Sequence, residues 1–280
     1  MSLFRIVADS CADYTPGKDT LDFIQRVPLT ISLGERVFHD DGTIDTNELL
    51  SAMATSPEAP KSSCPSPQDY LDAFGSEGDV YVVTLSDKVS GSYSSARIAA
   101  GYLYEQQPER KIHVFNSRSA AAGQVALCLK LKELAECGLT FEEVVAEAEI
   151  YSAEMNTWFV LETLEVFRKN GRLSHIQSLL TEIVSIKMVM GADADGNIVI
   201  RGKALNMKRA LLKLKELVKE ANTGLNWMNR QMVITHAACR NRAEVLRDSL
   251  KEAGFVRILL CAAGGLSTVY ANAGGIILAI

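Results

Sequence analysis

The sequence predicts an α/β protein with a mostly parallel sheet in an N-terminal domain, residues 1–155, and a smaller α+β domain over residues 156–280. Three observations predict it. In the first half, short apolar runs rich in β-branched and aromatic residues alternate with helical patterns, which is the signature of a parallel sheet with crossover helices. Past residue 155 the order becomes mixed, and Asp195-Gly196-Asn197 between apolar runs is a strong hairpin signal. Finally, 280 residues with 48% hydrophobic content suffice for one large domain or two smaller ones with real cores.

The chain opens with a buried strand, Phe4-Arg5-Ile6-Val7-Ala8, followed by the polar turn Asp9-Ser10-Cys11-Ala12-Asp13-Tyr14-Thr15-Pro16. Asp9 and Ser10 are placed there either to face a ligand or to cap the next helix. Arg26 to Ser32 reads as one extended run, and Gly34 then turns the chain into a second strand or edge segment at Val37-Phe38-His39. Leu49, Leu50 and Met53 give Asp45 to Ala54 a helical spacing, with Asp45 or Thr46 as N-cap. Residues 56–67 hold four of the seven prolines and read as an extended loop or linker. Ser66-Pro67 then opens a helix, with serine as cap and proline at the first helical position. Val80-Tyr81-Val82-Val83 and Ile112-His113-Val114-Phe115 are strands, each followed by a helix, from about Ser92 and from Ala120 to Glu136. An amphipathic helix over Thr140 to Ser152 closes this half.

In the second half, Asn156 to Leu161 reads as a strand and Leu164 to Lys169 as a short helix ended by Asn170-Gly171. Helical or mixed segments follow to Met190, then the hairpin from Gly191 to Ile200 and a basic-faced helix from Ala204 to Asn222. Gln231 to Thr235, Val256 to Leu260 and Gly274 to Ile280 are strands, and Asn241 to Ala253 is a helix.

The stretch with the strongest functional character is Thr84-Leu85-Ser86-Asp87-Lys88-Val89-Ser90-Gly91-Ser92-Tyr93-Ser94-Ser95-Ala96. It collects hydroxyls and backbone N–H groups where a strand ends and a helix begins, which suits an acidic or polar head group. The plainer reading is that Ser90, Ser92 and Ser94 only cap the helix. A net charge of −5 without like-charge blocks gives no reason to expect nucleic acid or an anionic membrane as partner. No apolar run reaches the length of a membrane span and the N-terminus lacks a signal-peptide core, so the cytoplasm is expected. The six cysteines include no Cys-x-x-Cys pair and no histidine stands at finger-like spacing, so neither metal nor cofactor is expected. Cys64, in a Ser/Pro loop, has no base placed beside it by sequence.

Along nearly its whole length the chain resembles the DegV family of bacterial fatty-acid-binding proteins. The resemblance is carried by Ile6-Val7-Ala8-Asp9-Ser10 with Asp13, Pro28-Leu29 with Asp41-Gly42, and Ser62-Ser63-Cys64-Pro65-Ser66-Pro67. It continues through Ser90-Gly91-Ser92-Tyr93-Ser94-Ser95-Ala96, Asn116-Ser117-Arg118-Ser119-Ala120, Leu161-Glu162-Thr163-Leu164, Gly171-Arg172-Leu173-Ser174 and His236. It implies a lipid tunnel between the two domains and a protein that presents an acyl chain to a separate fatty acid kinase, a carrier with no catalytic residues. Burying roughly fourteen methylenes at about 0.8 kcal/mol each supplies on the order of 11 kcal/mol before ordering costs, enough to retain a long chain.

In the family's pattern the carboxyl end meets a threonine, a serine and a histidine, and the matching positions here are Ser62, Asp87 and Tyr270. An ionised Asp87 about 4 Å from a fatty carboxylate would repel it by roughly 4 kcal/mol at an effective dielectric near 20. Asp87 therefore either shares a proton with the ligand, turns toward Lys88 or Arg201, or signals a ligand with a neutral head. Cys64 replaces the usual glutamine, and the residues assigned to the ligand are Ser62, Ser86, Asp87, Ser90, Gly91, Ser92, Arg201 and Tyr270. The small residues Ser90, Gly91, Ser92, Gly264, Gly265, Gly274 and Gly275 leave room for a chain. Arg172, with Arg168, Lys169 and His175, forms a basic group suited to docking an acidic partner. The alternative is a hydrolase or phosphoryl-handling enzyme using Ser86, Asp87, Ser90 or Cys64, although neither a Gly-x-Ser-x-Gly elbow nor a P-loop is present.

Overall fold

A computed structural model of the chain describes residues 3–13, 21–174, 176, 186–222 and 230–280. Short runs rich in β-branched residues give the first sheet, in which β1 (Phe4–Asp9), β2 (Ile24–Val27), β6 (Asp79–Thr84) and β7 (Ile112–Asn116) are parallel in the order β2-β1-β6-β7. Both faces are buried, as parallel sheets require. Val7, Val80 and Val82 pack on α2 (Pro67–Phe74) and α3 (Ser92–Gln106). Ile6, Ala8, Tyr81 and Val83 point the other way, onto α4 (Ala122–Glu136) and α5 (Phe141–Glu154). Ser66, the cap expected from the sequence, and Thr140, which the sequence reading left uncapped, form the capping boxes that start α2 and α5.

Strands β8 (Thr157–Val160), β9 (Lys187–Ala192), β10 (Ile198–Ala204), β11 (Met232–His236), β12 (Ile258–Ala262) and β13 (Ile276–Ala279) form a mixed sheet in the order β10-β9-β8-β13-β11-β12. Its alternation is as regular as that of the first sheet. Phe159, Met190, Val233 and Ile277 face α4, whereas Trp158, Val189, Ile234 and Leu278 face α7 (Met207–Ala221) and α8 (Arg240–Glu252). Helix, sheet, helix, sheet and helix thus stack in turn. The middle layer explains the composition of α4, which is apolar on nearly all sides because it is covered on both: Gly123, Val125, Leu127, Cys128 and Leu131 are all buried.

A small antiparallel sheet stands at the side, with β3 (Thr30–Leu33) between β4 (Arg36–His39) and β5 (Lys61–Ser63). Here the structure corrects the sequence. The run from Arg26 to Ser32 is two strands in two sheets, because Pro28 has no N–H to continue a ladder and the Leu29 N–H is taken by the Ser10 hydroxyl at 3.0 Å. The proline-rich segment contains β5, a three-residue edge strand fitted between Pro60 and Pro65. Lys187 to Met190 belong to the hairpin; residues 177–185 of the mixed segment lie outside those described, as do Tyr14 to Pro16 of the first polar turn. Asp45 caps α1 (Thr46–Thr55), and a helix that the sequence does not announce, α9 (Gly265–Ala271), lies against it.

Candidate functional site

In the first sheet the chain runs outward from β1 to β2 on one side and from β6 to β7 on the other, so the carboxyl ends of β1 and β6 meet at a topological switch point. Such points open a crevice. Asp9 ties the two strand ends together: its carboxylate accepts the Leu85 N–H at 2.8 Å, the Gln124 amide at 2.9 Å and the Cys11 N–H at 3.2 Å. Burial pushes its pKa up to about 6, against the pull of those hydrogen bonds. Helix α9 is fixed across the crevice by two more buried carboxylates. Asp40 accepts the Gly265 and Leu266 N–H groups at 2.9 and 3.0 Å, and Asp13 accepts the Gly264 N–H at 2.9 Å. Asp13 is pushed by burial to about 7.

These ties enclose a cavity of about 320 Å³, bounded by the β1, β5 and β6 loops, α9, and the inward faces of β8, β9, β10 and β13. Leu29, Leu85, Val89, Phe159, Leu161, Phe167, Ile198 and Ile277 make it largely apolar. One stretch of wall is polar: Ser62, Cys64, Ser90, Gly91 and Tyr270. The Ser62 and Tyr270 hydroxyls stand 3.0 Å apart, and the Tyr270 ring rests on Phe167 with centroids 4.8 Å apart. Gly91 is the N-cap of α3, which no side chain caps, while the Ser90 hydroxyl accepts the Ser92 N–H at 3.2 Å. Another wall is the β9–β10 turn, whose Gly196 carbonyl accepts the Ser86 hydroxyl at 2.9 Å. Gly196 has φ +88°, and a Cβ there would come within 2.5 Å of Ser86 Oγ and 2.9 Å of Arg118 Cα.

A family model described as "Uncharacterised protein, DegV family" matches residues 3–280. The chain belongs to the DegV family. It is 35% identical over 280 residues to a DegV domain-containing protein of Streptococcus pneumoniae, the match covering 98% of both chains. A DegV family protein of Ruminococcus gnavus refined with vaccenic acid is 38% identical and superposes with a TM-score of 0.93, covering 99% of each chain. The Fatty Acid Kinase (Fak) B3 protein of Streptococcus pneumoniae, loaded with linoleic acid, is 31% identical with a TM-score of 0.90, over 99% of this chain and 98% of that one.

Of the residues that the DegV resemblance and the Ser-rich loop single out, Ser62, Ser86, Ser90, Gly91 and Tyr270 line the cavity. Ser92 lies behind the wall, fully buried, with its hydroxyl 3.0 Å from that of Ser90. Asp87 is a correction only as a cavity-lining residue: it is exposed on the outer side of its loop and pairs with Lys88 at 3.6 Å, the turn toward Lys88 being one of the alternatives its sequence position left open. Arg201 is a second correction, an exposed side chain that donates to the Ala192 carbonyl at 2.7 Å and does not line the cavity. Arg172, expected to dock a partner, lines the cavity as well as the surface beside it, donating to the Val89 and Asn170 carbonyls. Its basic neighbours are already paired, Arg168 and Lys169 both with Glu165, and His175 lies outside the described residues.

Two of the glycines expected to leave room, Gly265 and Gly275, serve another purpose. A Cβ on Gly265 would meet Asp40 Oδ1 at 2.7 Å and one on Gly275 would meet the Ala271 carbonyl at 2.6 Å, so both are sites of close packing around α9. Among the described residues, no side-chain hydrogen bond joins Ser86, Asp87, Ser90 or Cys64 as nucleophile and base; Ser86 is bound to Gly196 and the Cys64 sulfur neighbours the Ser95 hydroxyl at 3.9 Å. No cluster of three or more metal-ligating side chains is present among them, and no helix is long and apolar enough to cross a membrane. Sequence reasoning missed Cys11, Ser119, Thr157, Ser267 and the aromatic wall. It also missed the strained pair Arg118 and Ala121, non-glycine residues with φ of 50° and 52° that shape the cavity floor. A polar run directly after β7 was the available signal, since it ends at the same edge of the sheet as the loops after β1 and β6.

Proposed function

We propose that this chain binds a long-chain fatty acid in the cavity and presents its head group to a partner fatty acid kinase, working in the cytoplasm as a carrier with no chemistry of its own. The observation that carries the reading is one largely apolar cavity whose polar wall brings together the Ser62 and Tyr270 hydroxyls, Ser90 and the start of α3. A carboxylate needs donors when it leaves water, and hydroxyls with a helix N-terminus supply them without a competing negative charge. Asp87, turned outward, removes the objection raised by its sequence position. The fatty acids held by the Ruminococcus and Streptococcus relatives support the choice of ligand, and the kinase in the second relative's name supports the choice of partner.

Tyr270→Phe keeps the ring on Phe167 and removes one donor. It is expected to weaken fatty-acid binding by delipidated protein about 10- to 150-fold, the worth of one hydrogen bond to a charged group, with little change in stability. Titration calorimetry measures it. An unchanged affinity would place the carboxylate elsewhere, and failure of the parent protein to bind any long-chain fatty acid would remove the reading.

A further inference from the structure

Behind the polar wall of the cavity stands a carboxylate that does not touch the cavity itself. Asp9 and Ser92 are both fully buried and neither lines the cavity, whereas Ser90 does. The Ser92 hydroxyl donates to the Asp9 carboxylate, one of the hydrogen bonds that oppose the effect of its burial. The same hydroxyl is 3.0 Å from that of Ser90, whose oxygen also accepts the Ser92 N–H at 3.2 Å. Carboxylate, hydroxyl and hydroxyl therefore form a chain from the core to the wall, in which each hydroxyl has one proton to give. The other Asp9 contacts are donors, the N–H groups of Leu85 and Cys11 and the amide N–H of Gln124, which leaves the Ser92 oxygen as the acceptor among them.

We infer that Asp9 is a positioning residue for the ligand's head group, its proton setting, through Ser92, which way the Ser90 hydroxyl points. The inference rests on the fatty-acid reading of the cavity and names what tunes it. With Asp9 ionised, Ser92 donates inward and Ser90 donates to Ser92, so Ser90 presents only lone pairs to the cavity. With Asp9 protonated the chain reverses: Asp9 donates to Ser92, Ser92 to Ser90, and Ser90 is free to donate to a carboxylate. Binding of the anion therefore draws a proton from solvent onto Asp9, and no covalent bond of the ligand changes. A carboxyl that burial has moved up to about 6 makes that change near neutral pH, where an ordinary one stays ionised.

Most ionisable groups around Asp9 do not compete in this range. Burial raises the Tyr70 hydroxyl on α2, the Cys11 thiol and the Cys128 thiol on α4 above their ordinary values. Arg26 on β2 donates to the Ser10 carbonyl at 2.9 Å and stands 3.9 Å from Asp40. The cavity's own cations, Arg118 and Arg172, are arginines, a residue type that keeps its proton in proteins. Asp13 does titrate here, raised by burial to about 7, and it bonds Ser267 of the cavity wall, so it serves as the control.

Delipidated full-length protein is titrated with one long-chain fatty acid by calorimetry at pH 5.5 to 7.5, in two buffers of different ionisation enthalpy. Affinity is expected to fall about fivefold across that range, the linkage for a rise of about one pH unit in Asp9 on binding, with about half a proton taken up per ligand at pH 6.5. Asp9→Asn, whose amide can donate to Ser92 at every pH, should show neither the step nor the proton uptake. Ser92→Ala should lose the step too, because the chain is cut, and bind more weakly than the parent at pH 5.5. Asp13→Asn should keep the step. A parent with flat affinity and no proton uptake, a step that survives in Asp9→Asn or Ser92→Ala, or one that disappears in Asp13→Asn would each overturn the inference and leave the fatty-acid cavity standing. A parent that binds no long-chain fatty acid at any of these pH values would overturn both.

Discussion

Leu127→Ala is expected to lower the free energy of unfolding by about 2–5 kcal/mol, the usual cost of truncating a buried leucine. Leu127 is fully buried in α4, the helix held between the parallel sheet and the mixed sheet, and it belongs to the apolar cluster that both sheets build. Neither sheet can close over the void without losing contact with the other, so the site relaxes poorly and the cost falls toward the upper part of the range. The same position predicts that both sheets respond together. Urea unfolding followed by far-ultraviolet circular dichroism and by tryptophan fluorescence, one of whose two sources, Trp158, sits in the mixed sheet, should show coincident transitions shifted to lower urea. A loss below about 1 kcal/mol, or two separated transitions, would contradict the shared middle layer.

Asp13→Asn should change how stability depends on pH. Burial holds the Asp13 carboxyl near 7 against an ordinary value of 3.8, so the fold favours its protonated form. A group raised in this way contributes its full stability below about pH 4, and the contribution is lost as pH rises through about 7. Asparagine cannot ionise, yet its carbonyl can still accept the Gly264 N–H that holds α9. The variant is therefore expected to be the more stable protein above about pH 7, by an amount on the order of 4 kcal/mol for a shift near three pH units. Asp9, raised to about 6, has the same sign and stays in both proteins, so part of the decline from pH 4 to pH 6 remains. Denaturation midpoints measured across that range in parent and variant decide it. Parallel profiles would mean that Asp13 folds as an ordinary carboxylate.

Much of the scaffold was legible because local chemistry and tertiary environment agree. Val80 to Val83 are β-branched or aromatic and buried on both faces, Ser66 caps α2, and Asp195-Gly196-Asn197 does turn a hairpin. Where long-range partners decide, the reading failed. Nothing around Gly264 and Gly265 announces a helix, since the groups that hold α9 are Asp13 and Asp40, more than two hundred residues away. Pro28 separates two sheets only because Ser10 captures the next N–H.

The site divides in the same way. Ser90 and Gly91 were found because a strand-to-helix loop at a sheet edge is a local feature. Ser62 and Tyr270 were found through the family resemblance, and their meeting at 3.0 Å depends on β5 and α9, elements the sequence conceals. For Asp87 the sequence left the ligand and Lys88 both open, because one turn of backbone decides which side of a loop a residue faces. Ser86 points inward to Gly196 and Asp87 outward to Lys88.

The central claim is that the enclosed cavity is a fatty-acid site, and native mass spectrometry of the protein purified from bacterial cells tests it most directly. The expected result is a mass excess equal to one long-chain fatty acid per chain, released on denaturation and identified in the extract, and reduced in Tyr270→Phe. Protein that flies at its bare mass and stays there after incubation with long-chain fatty acids would contradict it.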